Sequence, residues 1–351
     1  MTAELPQPPV APDLFTTPRY VQPPVPVNAD GGVRRLGIEV ELAGIDVPHL
    51  AQIVATALDG SVSEGSSDTV ARIDTPLGTF RVEVDSAILK DRSYLAPLEA
   101  LGLEDGRLLS EIEDSVLSVA SELVPVEVVT PPIPWNRVHE VDEMWGELRR
   151  HGGRGTRAAY RFAFGLHLNP EFPGPITAES VLAHLQAFFL LEDWLARAEE
   201  VDLARKVTPF IDSFDEGYRR KCLAPDYRPD LDELIADYLE ASPTRNRILD
   251  MLPLFVHVRP NCLEGLEVKG VHLVNARPTF HYRLPNSDVD RHAWSPASAW
   301  AHWVEVERLA ADAPRRRAMA EAYCELRDLP WRLQRREWLT AIDDAWMVGK
   351  R

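Results

Sequence analysis

Residues 36–42 (LGIEVEL) alternate between apolar and polar side chains, and this period of two predicts a β-strand. Because successive side chains of a strand point to opposite faces, Ile38 and Val40 lie on one face while Glu39 and Glu41 lie together on the other. Two neighbouring carboxylates repel each other, so a strand tolerates them where the face is exposed to water or where a cation binds between them. The segment therefore predicts either a solvated strand face or part of a metal site.

Four later segments repeat this alternation, each with one apolar face and one face that has ionisable or amide side chains. The segments and their polar-face residues are 80–85 with Arg81, Glu83 and Asp85, 126–128 with Glu127, 161–169 with Arg161, His167 and Asn169, and 279–284 with His281 and Arg283. Five such strands predict an antiparallel sheet that is covered by helices on one side. A plain solvated face usually has Thr, Ser, Lys and Glu, so the recurring acid, histidine and arginine favour a functional polar face.

Helical periodicity predicts four helices in the first two thirds of the chain. Asp46 is a typical N-cap, and the first helix follows it and ends near Gly60. The other three predicted helices span about 106–122, 135–150 and 178–204. Short alternations at 256–259 and 266–269 predict further strands. The predicted fold class is therefore α+β, with a mainly antiparallel sheet of about six strands, helices on one face and a polar, concave active-site face.

The chain divides into three predicted parts. Residues 1–32 are rich in proline, which cannot donate to a strand ladder, and predict an extended or disordered arm, with a PxxP-type partner-binding role as the alternative. Residues 33–295 predict one catalytic domain. Residues 296–351 have tryptophans at helical spacing and predict a C-terminal helical segment packed on that domain.

Charge and cysteine content limit the function classes. The 351 residues include 38 Lys and Arg against 55 Asp and Glu, so the formal charge of −17 argues against a nucleic-acid or anionic-membrane partner. The three cysteines are isolated, as a reducing cytosol permits. The N-terminus has no basic region followed by an apolar run, and no stretch approaches the roughly 18 apolar residues of a membrane span. We therefore expect a soluble, cytoplasmic protein.

Five short motifs resemble, in the same order, those of the amidoligase family, among the carboxylate–amine ligases related to glutamate-cysteine ligase. The motifs are 37–41 (GIEVE), 84–86 (VDS), 127–132 (EVVTPP), 165–168 (GLHL) and 277–283 (RPTFHYR). The resemblance extends from about residue 36 to 295. It implies a catalytic-domain fold similar to that of glutamine synthetase and glutamate-cysteine ligase.

The resemblance also implies a reaction. In such enzymes ATP phosphorylates a carboxylate, and an amine attacks the acyl phosphate to give an amide or peptide bond. The implied substrates are a small-molecule or short-peptide carboxylate and an amine. Because the phosphates and the attacked carboxylate are all anionic, Mg²⁺ ions must bridge them and an arginine must stabilise the transferring group.

Residue roles follow from the positions that match the family motifs. Glu39 and Glu127 are expected to hold one Mg²⁺, with Asp85 as a third ligand, and Glu41 and His167 a second metal near the phosphates. Because these acids crowd together, we expect a raised carboxyl pKa at one or more of them.

Three further residues are expected to contact the substrates. Arg283 is expected to reach the γ-phosphate, since its planar fork suits phosphate. Lys269 and Asn275 match the family's pattern loosely and are expected to contact substrate or nucleotide. Glu39, Glu41 and Arg283 are the predicted catalytic residues.

One position departs from the family, which has glutamate two residues before the late arginine where this chain has His281. Imidazole is a poorer ligand for Mg²⁺ than for Mn²⁺ or Zn²⁺. His281 therefore shifts the metal preference toward Mn²⁺, binds a substrate, or marks a catalytically weakened relative that acts as a nucleotide-binding, peptide-binding or partner protein. A non-ligase phosphotransferase, such as a guanidino kinase, needs similar acids and arginine. No GxxxxGK[ST] loop or strand-anchored GxGxxG occurs, so the standard nucleotide-binding loops are absent.

Overall fold

The computed structural model describes residues 20–84, 125–156, 164–201, 214–326 and 328–346. Several sequence predictions fall outside these ranges, namely the metal ligand Asp85, the polar-face residue Arg161, the helix at about 106–122, the end of the predicted 178–204 helix and residues 1–19 of the predicted arm. The described residues form an α+β fold with a nine-stranded sheet in which all paired strands are antiparallel.

The strands follow one another along the chain as β1 (Arg35–Leu42), β2 (Ser61–Val62), β3 (Val70–Thr75), β4 (Gly78–Val84), β5 (Val126–Val129), β6 (Ile133–Pro134), β7 (Leu166–Pro170), β8 (Leu249–Asp250) and β9 (His281–Tyr282). Their order across the sheet is β2-β3-β4-β5-β1-β7-β9-β8, and β6 pairs with β1 beside β5. The described sheet has nine strands where about six were predicted. Four of the nine have only two residues, and two residues are too few to show an alternating pattern.

Strand β1 lies near the middle of the sheet, with β5 on one side and β7 on the other. Leu36, Ile38, Val40 and Leu42 are completely buried, as the alternation predicts for the apolar face. Glu39 and Glu41 lie on the opposite face and are partly buried. Since β1 is flanked on both sides, its two glutamates can meet side chains from several other strands.

The α-helices within the described ranges are α1 (Val47–Ala57), α2 (Asp142–Arg150), α3 (Ala178–Ala198), α4 (Glu216–Leu223), α5 (Leu231–Ala241), α6 (Leu252–Val258), α7 (Ala297–Ala311), α8 (Ala313–Glu325) and α9 (Trp331–Ala341). Asp46 caps α1 as predicted, since its carboxylate accepts a hydrogen bond from the backbone N–H of His49. The predicted 135–150 helix is shorter, because Val138–Val141 form a 3₁₀ turn ahead of α2.

The strand predictions at 256–259 and 266–269 are wrong. Residues 256–258 belong to α6, where Leu252, Leu254 and Phe255 are buried, so the short alternation is the end of a helix. The second segment lies in the connection after α6, and only Lys269 forms an isolated bridge, to Thr244. Four residues are too few to distinguish a period of 2 from one of 3.6.

Helices α3 and α7 cover the apolar face of the sheet. Tyr282 of β9 packs against Phe188 of α3 and Trp303 of α7, with ring centroids 6.2 and 5.3 Å apart. Arg34, just before β1, forms a buried ion pair with Glu307 of α7. Helix α7 therefore packs directly on the sheet, although it begins at residue 297.

The described part of the predicted N-terminal arm contacts the domain. The hydroxyl of Tyr20 donates to Asp142 at 3.3 Å, and the indole N–H of Trp300 donates to the carbonyl oxygen of Val21 at 2.7 Å. Val27 and Val33 form an isolated antiparallel bridge. Residues 20–32 are therefore attached to the domain, and residues 1–19 lie outside the described ranges.

Among the helices of the described residues, none combines the length and the apolar character needed to cross a bilayer.

Candidate active site

The strand register brings polar side chains of five strands, including His281 of β9, onto one face of the sheet. Glu41 of β1 lies directly opposite Glu127 of β5, which in turn lies opposite Glu83 of β4. One pleat further along β1, Glu39 lies opposite His167 of β7. Directly opposed residues on one face have Cβ atoms about 4.5–5.5 Å apart, so these side chains are neighbours.

Three of these polar residues form a compact cluster of possible metal ligands. One ligand atom each from Glu39, His167 and His281 lies within 4.8 Å of the other two. Nδ1 of His167 is 3.2 Å from Oε2 of Glu39, and the rings of His167 and His281 meet edge to face with centroids 5.2 Å apart. His167 and His281 are both buried.

Asn169 connects two members of this cluster. Its Nδ2 donates to Oε1 of Glu39 at 2.8 Å, and its Oδ1 is 2.8 Å from Nδ1 of His281. An amide oxygen can only accept a hydrogen bond, so Nδ1 of His281 has the proton and Nε2 has the lone pair. Asn169 has room for this position because Gly37, its partner on β1, has no side chain.

Glu41 is held beside the cluster by two contacts. Oε2 of Glu41 accepts a hydrogen bond of 2.6 Å from the backbone N–H of Gly165, and Oε1 lies 3.5 Å from Nε2 of His167. His167 is therefore placed between the two glutamates of β1.

The environment sets the protonation of Glu39 and His281. Burial acts to raise the pKa of Glu39, but the hydrogen bond with His167 and the electrostatic effects of His281, His167 and Arg277 outweigh it and hold this pKa well below its usual value. Burial holds the pKa of His281 well below its usual value, which favours the neutral imidazole. The direction at Glu39 is opposite to the raised carboxyl pKa that the crowding of acids predicted.

Three arginines, Arg245, Arg277 and Arg283, lie near His281 or its strand partner Asp250. The guanidinium of Arg277 is 3.6 Å from Oε1 of Glu39, and NH1 of Arg283 donates to the carbonyl oxygen of Arg245 at 3.2 Å. All three arginines act electrostatically on Asp250, a fully buried carboxyl opposite His281 in the sheet. Burial raises the pKa of Asp250 to about 6, although the arginines act to lower it.

This arrangement fits a metal ion next to an anion. Ligand atoms bound at about 2.1 Å lie about 3.0–4.2 Å from one another around an octahedral ion, so small rotations of Glu39, His167 and His281 would complete such a site. The adjacent arginines offer planar forks that suit phosphate and carboxylate groups. The polar face therefore combines metal ligands, which bind an anion through a metal ion, with guanidinium groups, which bind an anion directly.

The predicted site residues divide into two groups by position. The first group lies on one face of the sheet, on β5, β1, β7 and β9 or directly after β9. Its members are Glu39, Glu41, Glu127, His167, His281 and Arg283. Lys269 and Asn275 lie in the exposed connection between α6 and β9. The backbone of Lys269 bonds to that of Pro243 and Arg245, so this connection adjoins the arginines.

Sequence reasoning missed the roles of Asn169, Asp250 and Arg277. Asn169 lies two residues after His167, so the strand period does place both on one face. Arg245 and Arg277 lie outside regular strands, and Asp250 belongs to a strand of only two residues. The alternation of apolar and polar residues cannot predict the face of a residue that lies outside a regular strand or in a strand of two residues.

A comparison with family models gives one match, to the family described as "Putative amidoligase enzyme", over residues 33–305. The matched range includes every described strand and all the site residues named above. No curated protein and no solved structure shows a significant match.

Proposed function

The chain belongs to the amidoligase family, and from this premise we propose that it is an ATP-dependent carboxylate–amine ligase that forms an amide or peptide bond through an acyl phosphate. The family supports a ligase-type enzyme. ATP, the metal ion, the acyl phosphate and a relationship to glutamate-cysteine ligase are part of the proposal. The observation that supports it best is that Arg277 lies 3.6 Å from Glu39 of the Glu39–His167–His281 cluster, while Arg245 acts electrostatically on Glu39 and Arg283 on His281.

The glutamates of the polar face, together with His167, supply ligands for divalent ions. Glu39, Glu41, His167 and Glu127 are the residues that would hold Mg²⁺ or Mn²⁺. A bound divalent ion screens the negative charges of phosphate and carboxylate and polarises the oxygens that it contacts. Asp85 remains a proposed ligand outside the described residues.

The three arginines, Arg245, Arg277 and Arg283, supply the groups that bind and orient an anion. Arg283 is held by its hydrogen bond to the carbonyl oxygen of Arg245, and Nε of Arg245 is 3.9 Å from Oδ2 of Asp250. Guanidinium groups fixed in this way need little reorganisation when negative charge develops near them. We assign to Arg283 the stabilisation of the transferring phosphoryl group, and to Arg277, which also reaches Glu39, the alignment of the anion with the metal ligands.

The substrates of this reaction are a small-molecule or short-peptide carboxylate and an amine. Lys269 and Asn275 are proposed to contact substrate or nucleotide, since the segment of Lys269 pairs with that of Arg245. The buried position of the two histidines limits the access of water, which would otherwise hydrolyse an activated carboxylate.

The test is to incubate the purified protein with ATP, Mg²⁺ or Mn²⁺, and a pool of amino acids and short peptides, and to identify products by mass spectrometry. We expect ADP and an amide product from the wild type. Arg283→Ala should lower turnover by about 10²–10³-fold, because it removes a charge partner of the transition state. The control is Arg197→Ala, since Arg197 lies on α3, across the sheet from the polar face, and its pair with Asp343 is exposed.

Undiminished turnover in Arg283→Ala, with wild-type melting temperatures in both variants, would show that the arginine role is wrong. A specific observation also favours a second candidate, a catalytically weakened relative, because His281 is buried and bonded to Asn169 where the family resemblance implies a carboxylate. ATP that binds in calorimetry without any turnover, whichever divalent ion is present, would support this candidate instead.

A further inference from the structure

The structure adds a third residue to the metal-ligand pairs that the family resemblance implies. Those pairs are Glu39 with Glu127, and Glu41 with His167, and the second pair is close in the structure, at 3.5 Å. Among the described residues, the compact set of three ligands is Glu39, His167 and His281, one residue from each of three neighbouring strands. His281, the position at which this chain departs from the family, is therefore part of the cluster.

We propose that Glu39, His167 and His281 form a three-ligand site that binds a first-row transition ion such as Mn²⁺ or Zn²⁺ in preference to Mg²⁺, and that Asn169 positions two of the three ligands. This inference deepens the proposed function and depends on it for the use of the ion in a reaction. The binding of the ion itself can be measured without any reaction.

The first argument is the chemistry of the donors. Mg²⁺ prefers oxygen ligands, loses water reluctantly and is usually held by one or two carboxylates. Imidazole nitrogen suits Zn²⁺ and Fe²⁺ far better, and Mn²⁺, the weakest binder of the first-row series, still accepts it more readily than Mg²⁺ does. Two imidazoles with one carboxylate are a common set for first-row ions with open coordination positions. A set of two nitrogens and one carboxylate oxygen therefore selects against Mg²⁺.

The second argument is the orientation of His281. Its Nδ1 donates to Oδ1 of Asn169 at 2.8 Å, which leaves the lone pair of Nε2 for a metal. Metal-binding histidines usually donate their other ring N–H to such a partner, which fixes the ring and makes it more basic. The rings of His167 and His281 are inclined by 74°, so they approach a shared ion from different planes.

The third argument is that Asn169 acts on two ligands at once. The same amide donates to Oε1 of Glu39 at 2.8 Å, and so fixes the carboxylate and the imidazole relative to each other. Asn169 is itself buried, at 4% exposure. It lies against Gly37, and a Cβ added to Gly37 would be 3.4 Å from the Cβ of Asn169. We therefore expect Asn169 to be a positioning residue that contacts no ion.

The experiment measures metal binding by metal-free protein with no ATP or amine present. Equilibrium dialysis against Mn²⁺, Zn²⁺ and Mg²⁺, followed by elemental analysis, gives the affinities, and Co²⁺ absorption bands report the ligand set. The variants are His281→Ala, His281→Glu and Asn169→Ala. The control is His184→Gln, which replaces another buried histidine that packs among phenylalanine rings on the apolar side.

We expect wild type and His184→Gln to bind Mn²⁺ and Zn²⁺ more tightly than Mg²⁺, with identical Co²⁺ spectra. Asn169→Ala should weaken Mn²⁺ binding by about 10–100-fold, as the loss of a residue that orients ligands usually does, and His281→Ala should weaken it by more. His281→Glu should move the preference toward Mg²⁺ and change the Co²⁺ spectrum. This last variant keeps the test valid if His281→Ala does not fold.

Two results would overturn the inference, namely wild type that binds no transition ion more tightly than Mg²⁺, and a His281→Glu variant with unchanged selectivity and Co²⁺ spectrum. The outcome is separable from that of the proposed function. Selective binding without ligase turnover would support the site and refute the ligase. Turnover with Mg²⁺ and no selective binding would support the ligase and refute the site.

Discussion

At the scale of single residues, two buried histidines differ because of what surrounds them. His281 is hydrogen-bonded to Asn169 and lies beside Glu39 and His167, two side chains that bind protons or metals. His184 packs against the rings of Phe172 and Phe280, whose centroids are both 5.1 Å from its own, and its Nδ1 lies 2.7 Å from the carbonyl oxygen of Ser180. Burial therefore has a stability consequence at His184 that is independent of the candidate site.

Burial lowers the pKa of His184 from 6.5 to about 4, and the charges of Arg34 and Arg316 act in the same direction. Above pH 6.5 the histidine is neutral in both the folded and the unfolded chain. As the pH falls from about 6.5 to 4, the unfolded chain takes up a proton that the folded chain does not, so stability is lost in this window. The loss due to His184 is at most about 3 kcal/mol.

Urea unfolding of wild type and His184→Gln between pH 7 and pH 4 measures this effect. The variant cannot take up the proton, so its free energy of unfolding should fall less steeply with acid. Parallel pH profiles for the two proteins would contradict the assignment.

At the scale of the elements, local sequence determines where several of them begin and end. Pro278 and Pro285 lie three residues before and three residues after β9, and because proline cannot donate to a ladder, the regular pairing cannot continue through these two positions. Asp46 is the N-cap of α1, and Thr177 is the N-cap of α3, where it forms a capping box with Ser180. Helix α1 lies against β3 and β4, so its start affects the packing of the sheet.

Asp46→Ala should lower the free energy of unfolding by about 1 kcal/mol, because the backbone N–H of His49 loses its 2.9 Å hydrogen bond. Asp46→Asn keeps an oxygen acceptor and should cost much less. Denaturant unfolding of both variants measures the difference. If Asn were as harmful as Ala, the charge of Asp46, and not its hydrogen bond, would be the source of the stability.

At the scale of the whole molecule, a buried ion pair joins the beginning of the sheet to the C-terminal helices. Arg34 and Glu307 are each 1% exposed and make two hydrogen bonds of 2.6 and 2.7 Å. Arg34 also donates to the carbonyl oxygens of Glu171 and Val25, while Glu307 accepts from the indole of Trp303. This ion pair therefore links the segment before β1 to helix α7.

Glu307→Gln should lower the free energy of unfolding by about 3–5 kcal/mol, because it leaves the charge of Arg34 buried without compensation. The double variant Arg34→Met with Glu307→Leu removes both charges and should recover much of this loss. Urea unfolding at one pH measures both. A single variant that costs less than about 1 kcal/mol would show that the pair has little effect on stability.

The sequence alone determined the features that depend on neighbouring residues. The alternation in β1 assigned Glu39 and Glu41 to one face, and Asp46 marked the start of α1, because side-chain direction and capping depend only on positions a few residues apart. The family also followed from short motifs, which the match over residues 33–305 confirms.

Only the tertiary structure decided which of these residues meet. The pairing of β1 with β5 and β7, the bridge of Asn169 between Glu39 and His281, and the grouping of Arg245, Arg277 and Arg283 join parts of the chain that are far apart in sequence. Crowded acids predicted a raised carboxyl pKa, but the pKa of Glu39 is lowered, because the tertiary structure brings His167, His281 and Arg277 to it from distant segments. Electrostatic and metal-binding properties depend on distances in space, and alternation along the chain does not contain those distances.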